Sequence, residues 1–339
     1  MSCNCGTQVV LCDLPIRFDA YGGCSHGCKY CFAQRKWSLE EAKRISSVES
    51  LKNFIEGRRT PETRWADWDI PIHWGGMSDP FQPAERKFRV SYECLQLFAK
   101  TQYPVVVSTK GALVADPEYL ELIGQCNIVV QISMACSKYD KLETGCPPFE
   151  ERLRMASLVA QKAKRVIVRV QPYMPEIFED VMKNIPRFKQ AGVYGIVVEG
   201  MKFVRKKAGM VKVGGDFVYP YEVLERDFRA IKSECHKHGL KFYSGENRLR
   251  KMGDSMTCCG IDGLEGFRGN SYNLCHLMNG EVVEPTEKMK EAKTGNCFKS
   301  FNQKAGTSSK YAKISFEYGM REELTKKKAF YETVFGIRK

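Results

Sequence analysis

Three cysteines within eight residues are the strongest chemical signal in this chain. The stretch from Cys24 to Cys31 reads CSHGCKYC, so its thiols are spaced three and then two residues apart, around Cys28. Thiolates are soft ligands that suit iron–sulfur clusters and zinc, and the neighbouring glycines let the backbone turn sharply. A [4Fe–4S] cluster normally takes four cysteines. Three ligands would therefore leave one iron open to another group.

The alternative for the same stretch is a zinc site. Structural zinc usually has four ligands with paired cysteines, and His26 would supply the fourth. A zinc-binding nucleic-acid module without catalysis is therefore the interpretation from another functional class.

The cysteine stretch also resembles the cluster motif of the radical S-adenosylmethionine (radical SAM) superfamily, with the aromatic Tyr30 just before the last cysteine. The resemblance implies that the open iron binds the amino and carboxylate groups of the methionine moiety of SAM. It implies that an electron, supplied by a reductase such as flavodoxin or ferredoxin, cleaves SAM to a 5′-deoxyadenosyl radical. That radical would abstract hydrogen from the substrate.

Length and composition indicate a large cytoplasmic α/β protein. The chain has 339 residues, of which 43% are hydrophobic, enough for a full core. Its 15 cysteines are scattered, as is typical of metal ligands and inert thiols in a reducing compartment. The N-terminus lacks a charged region followed by an apolar run, so we expect no signal peptide. No apolar run approaches the ~18 residues of a membrane span, so we expect no membrane partner.

Strand and helix patterns alternate about seven times before residue 245. The predicted strands are 15–21, 70–74, 104–108, 128–133, 166–171, 195–199 and 240–244. The predicted helices are 39–56, 84–100, 117–124, 149–163, 176–190 and 222–238, the first capped by Ser38 with Glu41 three residues later. This alternation predicts a parallel sheet with outer helices, whose ligand site lies at the carboxyl ends of the strands.

A partial TIM-like barrel fits this pattern, and the resemblance implies an open (β/α)6 radical SAM barrel. We expect the barrel to span 15–245. An N-terminal extension would cover 1–14, and a basic, cysteine-containing C-terminal extension would cover 246–339.

Residues that follow the predicted strands are candidates for the SAM site. Glycines after the second strand would let backbone atoms approach the methionine amino group, unless they form a plain turn. An arginine inside a buried-looking strand needs an anionic partner: the SAM carboxylate, a substrate phosphate or a structural carboxylate. A glutamate ending the sixth strand would hold a ribose or substrate hydroxyl, as would Glu246 after the last strand. The full set of predicted SAM-binding residues is Tyr30, Gly75, Gly76, Ser108, Lys110, Ser133, Arg169 and Glu199.

Three stretches, 21–33, 78–80 and 150–175, look like the spore photoproduct lyase-like group, and the resemblance covers roughly residues 15 to 200. That lyase splits a thymine dimer in DNA, and a hydrogen-donating cysteine precedes its Thr-Ser-Asp sequence. The matching stretch here, Gly76-Met77-Ser78-Asp79, has no cysteine. This departure argues against dimer repair. It favours hydrogen abstraction from a nucleic-acid base that leads to DNA modification or rearrangement. The rival substrate is a peptide or protein side chain, with an auxiliary cluster.

The charge distribution supports an anionic partner. The formal net charge is +13, and basic surfaces often bind nucleic acid. Five cations stand against Asp216 alone in the stretch after the sixth strand, interleaved with aromatic residues that can stack on bases. These cations are Lys202, Arg205, Lys206, Lys207 and Lys212. We predict a nucleic acid or nucleotide substrate; the alternative is a solvated loop. A second lysine-rich stretch spans Lys288 to Lys313.

Cysteines in the C-terminal third predict a second metal site. Glycine-rich sequence surrounds them, so loop-borne ligands to an iron–sulfur cluster or zinc are expected, with buried thiols as the alternative. The predicted ligands are Cys258, Cys259, Cys275 and Cys297, with His276 as a further candidate.

Overall fold

A seven-stranded parallel sheet forms the centre of the protein. The computed structural model describes residues 11–35, 42–58, 70–292 and 314–337. The described strands are β1 (Arg17–Phe18), β2 (Tyr21–Gly22), β3 (Lys43–Arg44), β4 (Ile72–Trp74), β5 (Val105–Thr109), β6 (Ile128–Ser133), β7 (Arg165–Tyr173), β8 (Gly195–Gly200), β9 (Lys202–Phe203), β10 (Val211–Val213), β11 (Asp216–Val218) and β12 (Lys241–Ser244). The described α-helices are α1 (Val48–Ile55), α2 (Glu85–Phe88), α3 (Val90–Thr101), α4 (Pro117–Gln125), α5 (Phe149–Ala160), α6 (Phe178–Gln190), α7 (Tyr221–Lys237), α8 (Leu274–Met278), α9 (Glu287–Glu291), α10 (Phe316–Lys326) and α11 (Lys328–Val334).

The order of the sheet is β1-β4-β5-β6-β7-β8-β12, and each neighbouring pair is parallel. The central strands are continuous apolar runs, as expected for strands covered on both faces. The predicted α/β fold with a partial barrel is confirmed. The sheet has seven strands rather than six, because the short β1 joins one edge and β12 the other.

The two faces of the sheet belong to two cores, because alternate side chains of a strand point to opposite faces. The larger core lies between the sheet and the helices. The smaller core is inside the barrel and contains Val106, Val129, Ile167, Val197 and Tyr243, covered by Leu14, Cys259 and Ile261. Two positions further along four of these strands, the same face carries polar residues. We call Ser108, Gln131, Arg169 and Glu199 the polar layer; it lies nearer the carboxyl ends.

The predicted helix 39–56 is wrong in its first half. Lys43–Arg44 form β3 instead, which pairs antiparallel with β2 beside the cysteine stretch. The helix α1 begins at Val48, because the Ser47 hydroxyl accepts a hydrogen bond from the backbone of Ser50 at 3.2 Å. The predicted cap at Ser38 and Glu41 lies outside the described residues.

The predicted helix 84–100 is two helices. Arg89 adopts a left-handed conformation between them, with φ of 53°. The buried carboxylate of Glu85 accepts hydrogen bonds from the backbone of Ser91 and Tyr92, each at 2.9 Å. It therefore caps the first turn of α3, which a continuous helix would not permit.

The stretch after β8 folds into a small antiparallel sheet of order β10-β11-β9. It is joined directly to the carboxyl end of β8. In the described part of the chain, no helix has the length and apolar character needed to cross a membrane.

Candidate functional site

The cysteine loop, residues 24–31, lies at the carboxyl edge of the sheet, because β1 and β2 lead into it. The segment after β4 holds this loop through buried hydrogen bonds. The Ser78 hydroxyl donates to the carbonyl of Gly23 at 2.6 Å. The side chain of Gln82 donates to the same carbonyl at 3.1 Å and accepts from the backbone of Ser25 at 3.0 Å. Sequence reasoning missed Gln82, which has no motif of its own and is fully buried.

His26 is a structural residue of this loop. Its Nδ1 lies 2.9 Å from the carbonyl oxygen of Gly145, and its Nε2 lies 3.2 Å from the carboxylate of Asp79. Burial opposes protonation, but the Asp79 carboxylate and the Gly145 carbonyl raise the pKa of His26 above its usual value. In this arrangement His26, the candidate fourth ligand of the alternative zinc site, faces Gly145 and Asp79.

The three thiols differ in their surroundings. Cys28 is buried, while Cys24 and Cys31 are half-buried. A hydrogen bond from Cys146, whose sulfur is 3.7 Å away, lowers the pKa of Cys28 to about 6, helped by the charges of Lys110 and His26. Burial raises the pKa of Cys24 to about 12. A thiol that ionises readily, beside two cationic groups, fits an anionic iron–sulfur cluster.

No three Cys, His, Asp or Glu side chains surround one metal-ion position anywhere in 11–35, 42–58, 70–292 or 314–337. The thiolates of an iron–sulfur cluster bind separate irons and need not converge on one point.

Tyr30 and Lys110, both predicted to contact SAM, meet at Glu143. The Tyr30 hydroxyl donates to this carboxylate, and the ammonium of Lys110 lies 3.9 Å from it. The fully buried Arg152 is also paired with Glu143 and donates to the backbone carbonyl of Ser133 at 2.8 Å. Burial raises the pKa of Glu143 to about 7. These contacts hold Lys110 beside Tyr30 of the cysteine loop.

Arg169 is the centre of the polar layer. Its guanidinium donates to the hydroxyl of Ser108 at 3.0 Å and to the side-chain oxygen of Gln131 at 2.8 Å. It also donates to Gln171, which in turn donates to Glu199 at 2.6 Å. In the part of the chain that the structure describes, no ion pair joins Arg169 to a carboxylate. The alternative of a structural carboxylate partner is met only indirectly, because Gln171 stands between Arg169 and Glu199, and the guanidinium itself contacts neutral oxygens.

His73 extends this network towards β1. Its Nε2 lies 2.9 Å from the hydroxyl of Ser108, and its Nδ1 is paired with Arg17. Burial and the two nearby guanidinium groups, of Arg17 and Arg169, lower the pKa of His73 well below its usual value. The His73 ring is therefore neutral, and the positive charges of this network are those of Arg17 and Arg169. Sequence reasoning missed His73.

The glycine turn after β4 approaches the polar layer closely. Gly75 has φ of +83°, and a Cβ atom there would lie 2.5 Å from the carbonyl oxygen of Ser108. A Cβ on Gly76 would lie 3.4 Å from the guanidinium of Arg17. The carboxylate of Asp19 accepts hydrogen bonds from the backbone of Met77 at 2.9 Å and of Ser78 at 3.0 Å, fixing the turn.

The two predicted strand-end glutamates lie close together. Glu199 and Glu246 both raise the pKa of Lys202, and Glu199 is paired with it directly. Glu246 is buried and paired with Arg248 at 3.1 Å. The carboxylates therefore meet at the same edge of the sheet, as predicted, each with a cationic partner.

The cations after β8 are on the surface. The exposed ones are Lys202, Arg205, Lys206, Lys207 and Lys212. The ammonium of Lys207 lies 4.2 Å from the ring centre of Phe203, which in turn contacts Tyr219. We call 202–218 the basic sheet. Most of the second lysine-rich stretch lies outside the described residues.

The C-terminal cysteines are brought together only in part. Cys259 and Cys275 are buried, Cys258 is half-buried, and Cys297 lies outside the described residues. The thiol of Cys259 interacts with the thiols of Cys258 and Cys12, and Cys12 lies in the predicted N-terminal extension. His276 is engaged by Asp13 and Glu281 rather than by a thiol.

Comparison with curated proteins identifies relatives of unknown activity. No protein-family model matches the chain. Uncharacterized proteins of Mycobacterium tuberculosis and Mycobacterium bovis are 25% identical over 202 residues, which is 56% of this chain and 59% of theirs. The chain therefore spans about three fifths of the length of these relatives (59%).

Solved structures with the same architecture are known. Spore photoproduct lyase complexed with dinucleoside spore photoproduct matches with a TM-score of 0.55 and 16% identity, over 72% of this chain and 79% of that one. A mutant of that lyase with bound AdoMet and the same dinucleoside matches with a TM-score of 0.54 and 15% identity, over 72% of this chain and 78% of that one. Streptococcus suis SuiB bound to precursor peptide SuiA matches with a TM-score of 0.50 and 13% identity, over 68% of this chain and 49% of that one. The chain therefore has the partial-barrel fold of spore photoproduct lyase.

Proposed function

We propose that the chain is a radical SAM enzyme that abstracts hydrogen from a nucleic-acid base. The observation that carries the proposal is the position of the cysteine loop. Its three thiols lie at the carboxyl edge of a partial barrel, and the loop is anchored by the same segment that carries the glycine turn. Ligands of parallel α/β barrels bind at this edge.

The described residues fit the two cofactors. Cys24, Cys28 and Cys31 would hold a [4Fe–4S] cluster, which supplies the electron that cleaves SAM. The backbone of the turn at Gly75 and Gly76 would receive the methionine ammonium group, since neither residue carries a side chain of its own.

Side chains of the barrel interior would orient the rest of SAM. Arg169 would bind the methionine carboxylate, because its guanidinium has only neutral oxygen partners within the described residues. Glu199 and Ser133 would face the ribose. Tyr30 and Lys110, held by Glu143, would pack beside the adenosyl group.

The basic sheet supports a nucleic-acid substrate. Its exposed cations follow β8 directly, so they stand at the same edge as the cysteine loop, and phosphates bind such cations with release of counterions. The structure of spore photoproduct lyase contains a dinucleoside. The absence of a cysteine at Gly76 favours modification or rearrangement of a base over dimer repair. A flavodoxin or ferredoxin would deliver the electron.

The test is SAM cleavage by the anaerobically reconstituted protein. Replacing Cys24, Cys28 and Cys31 by Ala removes the iron ligands, so we expect loss of the brown chromophore near ~400 nm, typical of thiolate-bound iron, and of 5′-deoxyadenosine formation. The control is Cys235→Ala, a buried thiol on α7 away from the site, which should behave as wild type. Continued 5′-deoxyadenosine formation by the triple variant would refute the proposal, and a wild-type protein that binds zinc alone would favour the non-catalytic module.

A further inference from the structure

The connection between β6 and α5 brings a further thiol to the cysteine loop. Cys146 lies in this connection, and its sulfur is 3.7 Å from the sulfur of Cys28, which is 118 residues earlier in the chain. The site as described so far gives Cys146 no role of its own. Its position beside a predicted iron ligand is therefore a feature that the fold has created and the function has not yet used.

Backbone hydrogen bonds hold the connection against the cysteine loop. The N–H of Gly145 donates to the carbonyl of His26 at 3.0 Å, and the N–H of Lys29 donates to the carbonyl of Leu142 at 2.8 Å. The carbonyl of Gly145 also lies 2.9 Å from Nδ1 of His26. His26 and Lys29 stand on either side of Cys28 in the sequence, so these bonds fix the loop around that cysteine.

A glycine permits this close approach. A Cβ atom on Gly145 would lie 2.5 Å from the carbonyl oxygen of Ser25 and 2.8 Å from that of His26. The next residue is fixed as well, because the N–H of Cys146 donates to the carbonyl of Glu143 at 2.8 Å. The contact between the two sulfurs is therefore a consequence of how the two loops pack.

The chemistry of the two sulfurs determines the direction of their hydrogen bond. A cysteine binds iron as the thiolate, so Cys28 carries no proton when it holds a cluster and can only accept. The thiol of Cys146 is a weak donor and supplies the proton of the bond. A hydrogen bond to a ligand sulfur stabilises the more negative, reduced state of a cluster, and such bonds are among the factors that set its reduction potential.

We propose that Cys146 donates a hydrogen bond to the cluster-binding sulfur of Cys28 and thereby raises the reduction potential of the cluster. Cys146 acts through Cys28 and is not itself an iron ligand. The inference rests on the proposed function, since Cys28 has to hold the cluster. It assigns to this connection a part in the reduction that precedes SAM cleavage.

A redox titration of the anaerobically reconstituted protein, followed by electron paramagnetic resonance, tests the proposal. At a fixed solution potential we expect Cys146→Ala to lower the ratio of reduced to oxidised cluster about tenfold, a change that one hydrogen bond to a charged group is large enough to produce. Tenfold corresponds to a midpoint about 59 mV more negative for a one-electron couple. Cys146→Ser retains an O–H donor and should stay close to wild type.

The matched control is Cys136→Ala, which removes a buried thiol from the other end of the same connection and should leave the potential unchanged. A cluster of unchanged potential in Cys146→Ala, or equal shifts in Cys146→Ala and Cys146→Ser, would overturn the proposal. Loss of iron from Cys146→Ala would also overturn it, because Cys146 would then be needed for assembly of the cluster. Iron content separates this result from failure of the proposed function, in which wild type itself would hold no iron–sulfur cluster.

Discussion

Arg169 is a cation inside a barrel, surrounded by the oxygens of Ser108, Gln131 and Gln171. Neutral acceptors solvate a guanidinium without cancelling its charge, so the residue retains affinity for an anion. A hydrogen bond to a charged group contributes about 1.5–3 kcal/mol. The residue therefore has the properties of a carboxylate or phosphate receptor at the mouth of the barrel.

We expect Arg169→Gln to weaken SAM binding by roughly 10- to 100-fold, the range that this free energy converts to. The absorbance of the cluster should persist, because the cysteine loop is unchanged. Anaerobic titration calorimetry with SAM measures the effect. Arg187→Gln on the surface of α6 is the matched control, and equal affinities for both variants would rule out the assigned role of Arg169.

The buried carboxyl group of Asp19 makes the stability of the folded protein depend on pH. Burial raises the pKa of Asp19 from its usual 3.8 to about 6, although backbone hydrogen bonds from Met77 and Ser78 oppose the shift. Between these two values the folded protein binds more protons than the unfolded chain, so its stability falls as pH rises through this window. Each pKa unit corresponds to about 1.4 kcal/mol, so the loss at neutral pH is at most about 3 kcal/mol.

We expect Asp19→Asn to remove this dependence. The difference in free energy of unfolding between variant and wild type should shift in favour of the variant, by up to about 3 kcal/mol, from pH 4 to pH 7. Urea denaturation of both proteins at four pH values across this range measures it. Parallel stability curves would show that Asp19 has an ordinary pKa.

At the scale of elements, the segment after β4 organises the site. Its glycine turn touches β5, its buried Gln82 holds the cysteine loop, and Asp79 contacts the backbone of Lys110 at 2.6 Å. One connection thus ties together the loops after three strands. The cysteine loop and the polar layer are therefore positioned by the same few residues.

We expect Gly75→Ala to destabilise the protein by about 2–5 kcal/mol and to abolish SAM binding, because alanine is strained at positive φ and its Cβ would collide with the backbone of β5. Gly76→Ala is the matched control. Its Cβ would meet only the flexible side chain of Arg17, so the loss should stay within about 1 kcal/mol. Chemical denaturation compares the two, and equal losses would contradict this account.

For the whole molecule, part of the excess of positive charge lies on the basic sheet, which carries five cations and one acidic residue. The basic sheet follows the carboxyl end of β8, and the cysteine loop lies at the same edge of the central sheet. Its cations are exposed, and all but Lys202, which is paired with Glu199, are open to phosphates. The formal net charge of +13 strengthens the approach of any polyanion.

Neutralising Arg205, Lys206 and Lys207 with Gln should weaken nucleic-acid binding at moderate salt. The slope of log affinity against log salt should fall by about 2–3, since each lost phosphate contact removes about 0.7–0.9. SAM cleavage without substrate should persist. The measurement is a salt titration with single-stranded and duplex DNA and RNA.

The matched control changes Lys162, Lys164 and Lys241 to Gln, removing equal charge from exposed positions at the amino edge of the sheet. The same slope for both triple variants would eliminate the basic sheet as a nucleic-acid contact and favour a peptide substrate.

Local and periodic features of the sequence determined the architecture and the position of the cysteine loop. Runs of apolar residues define β6 at 128–133 as predicted, because strand pattern depends on neighbours two positions apart. Cys24, Cys28 and Cys31 are recognisable because their spacing alone brings soft ligands to one loop. The strand-end positions of Glu199 and Glu246 followed from topology, since parallel strands end at one edge.

Tertiary structure decided everything that joins distant segments. The predicted helix 39–56 has helical periodicity, yet Lys43–Arg44 pair with β2 instead. A strand contact between segments more than twenty residues apart outweighed a weak local preference for helix. Gln82 and His73 carry no local signal. Their roles arise from packing, which places Gln82 against the cysteine loop and His73 against Ser108. Such contacts depend on how the sheet closes around its interior, a property that no single stretch of sequence encodes.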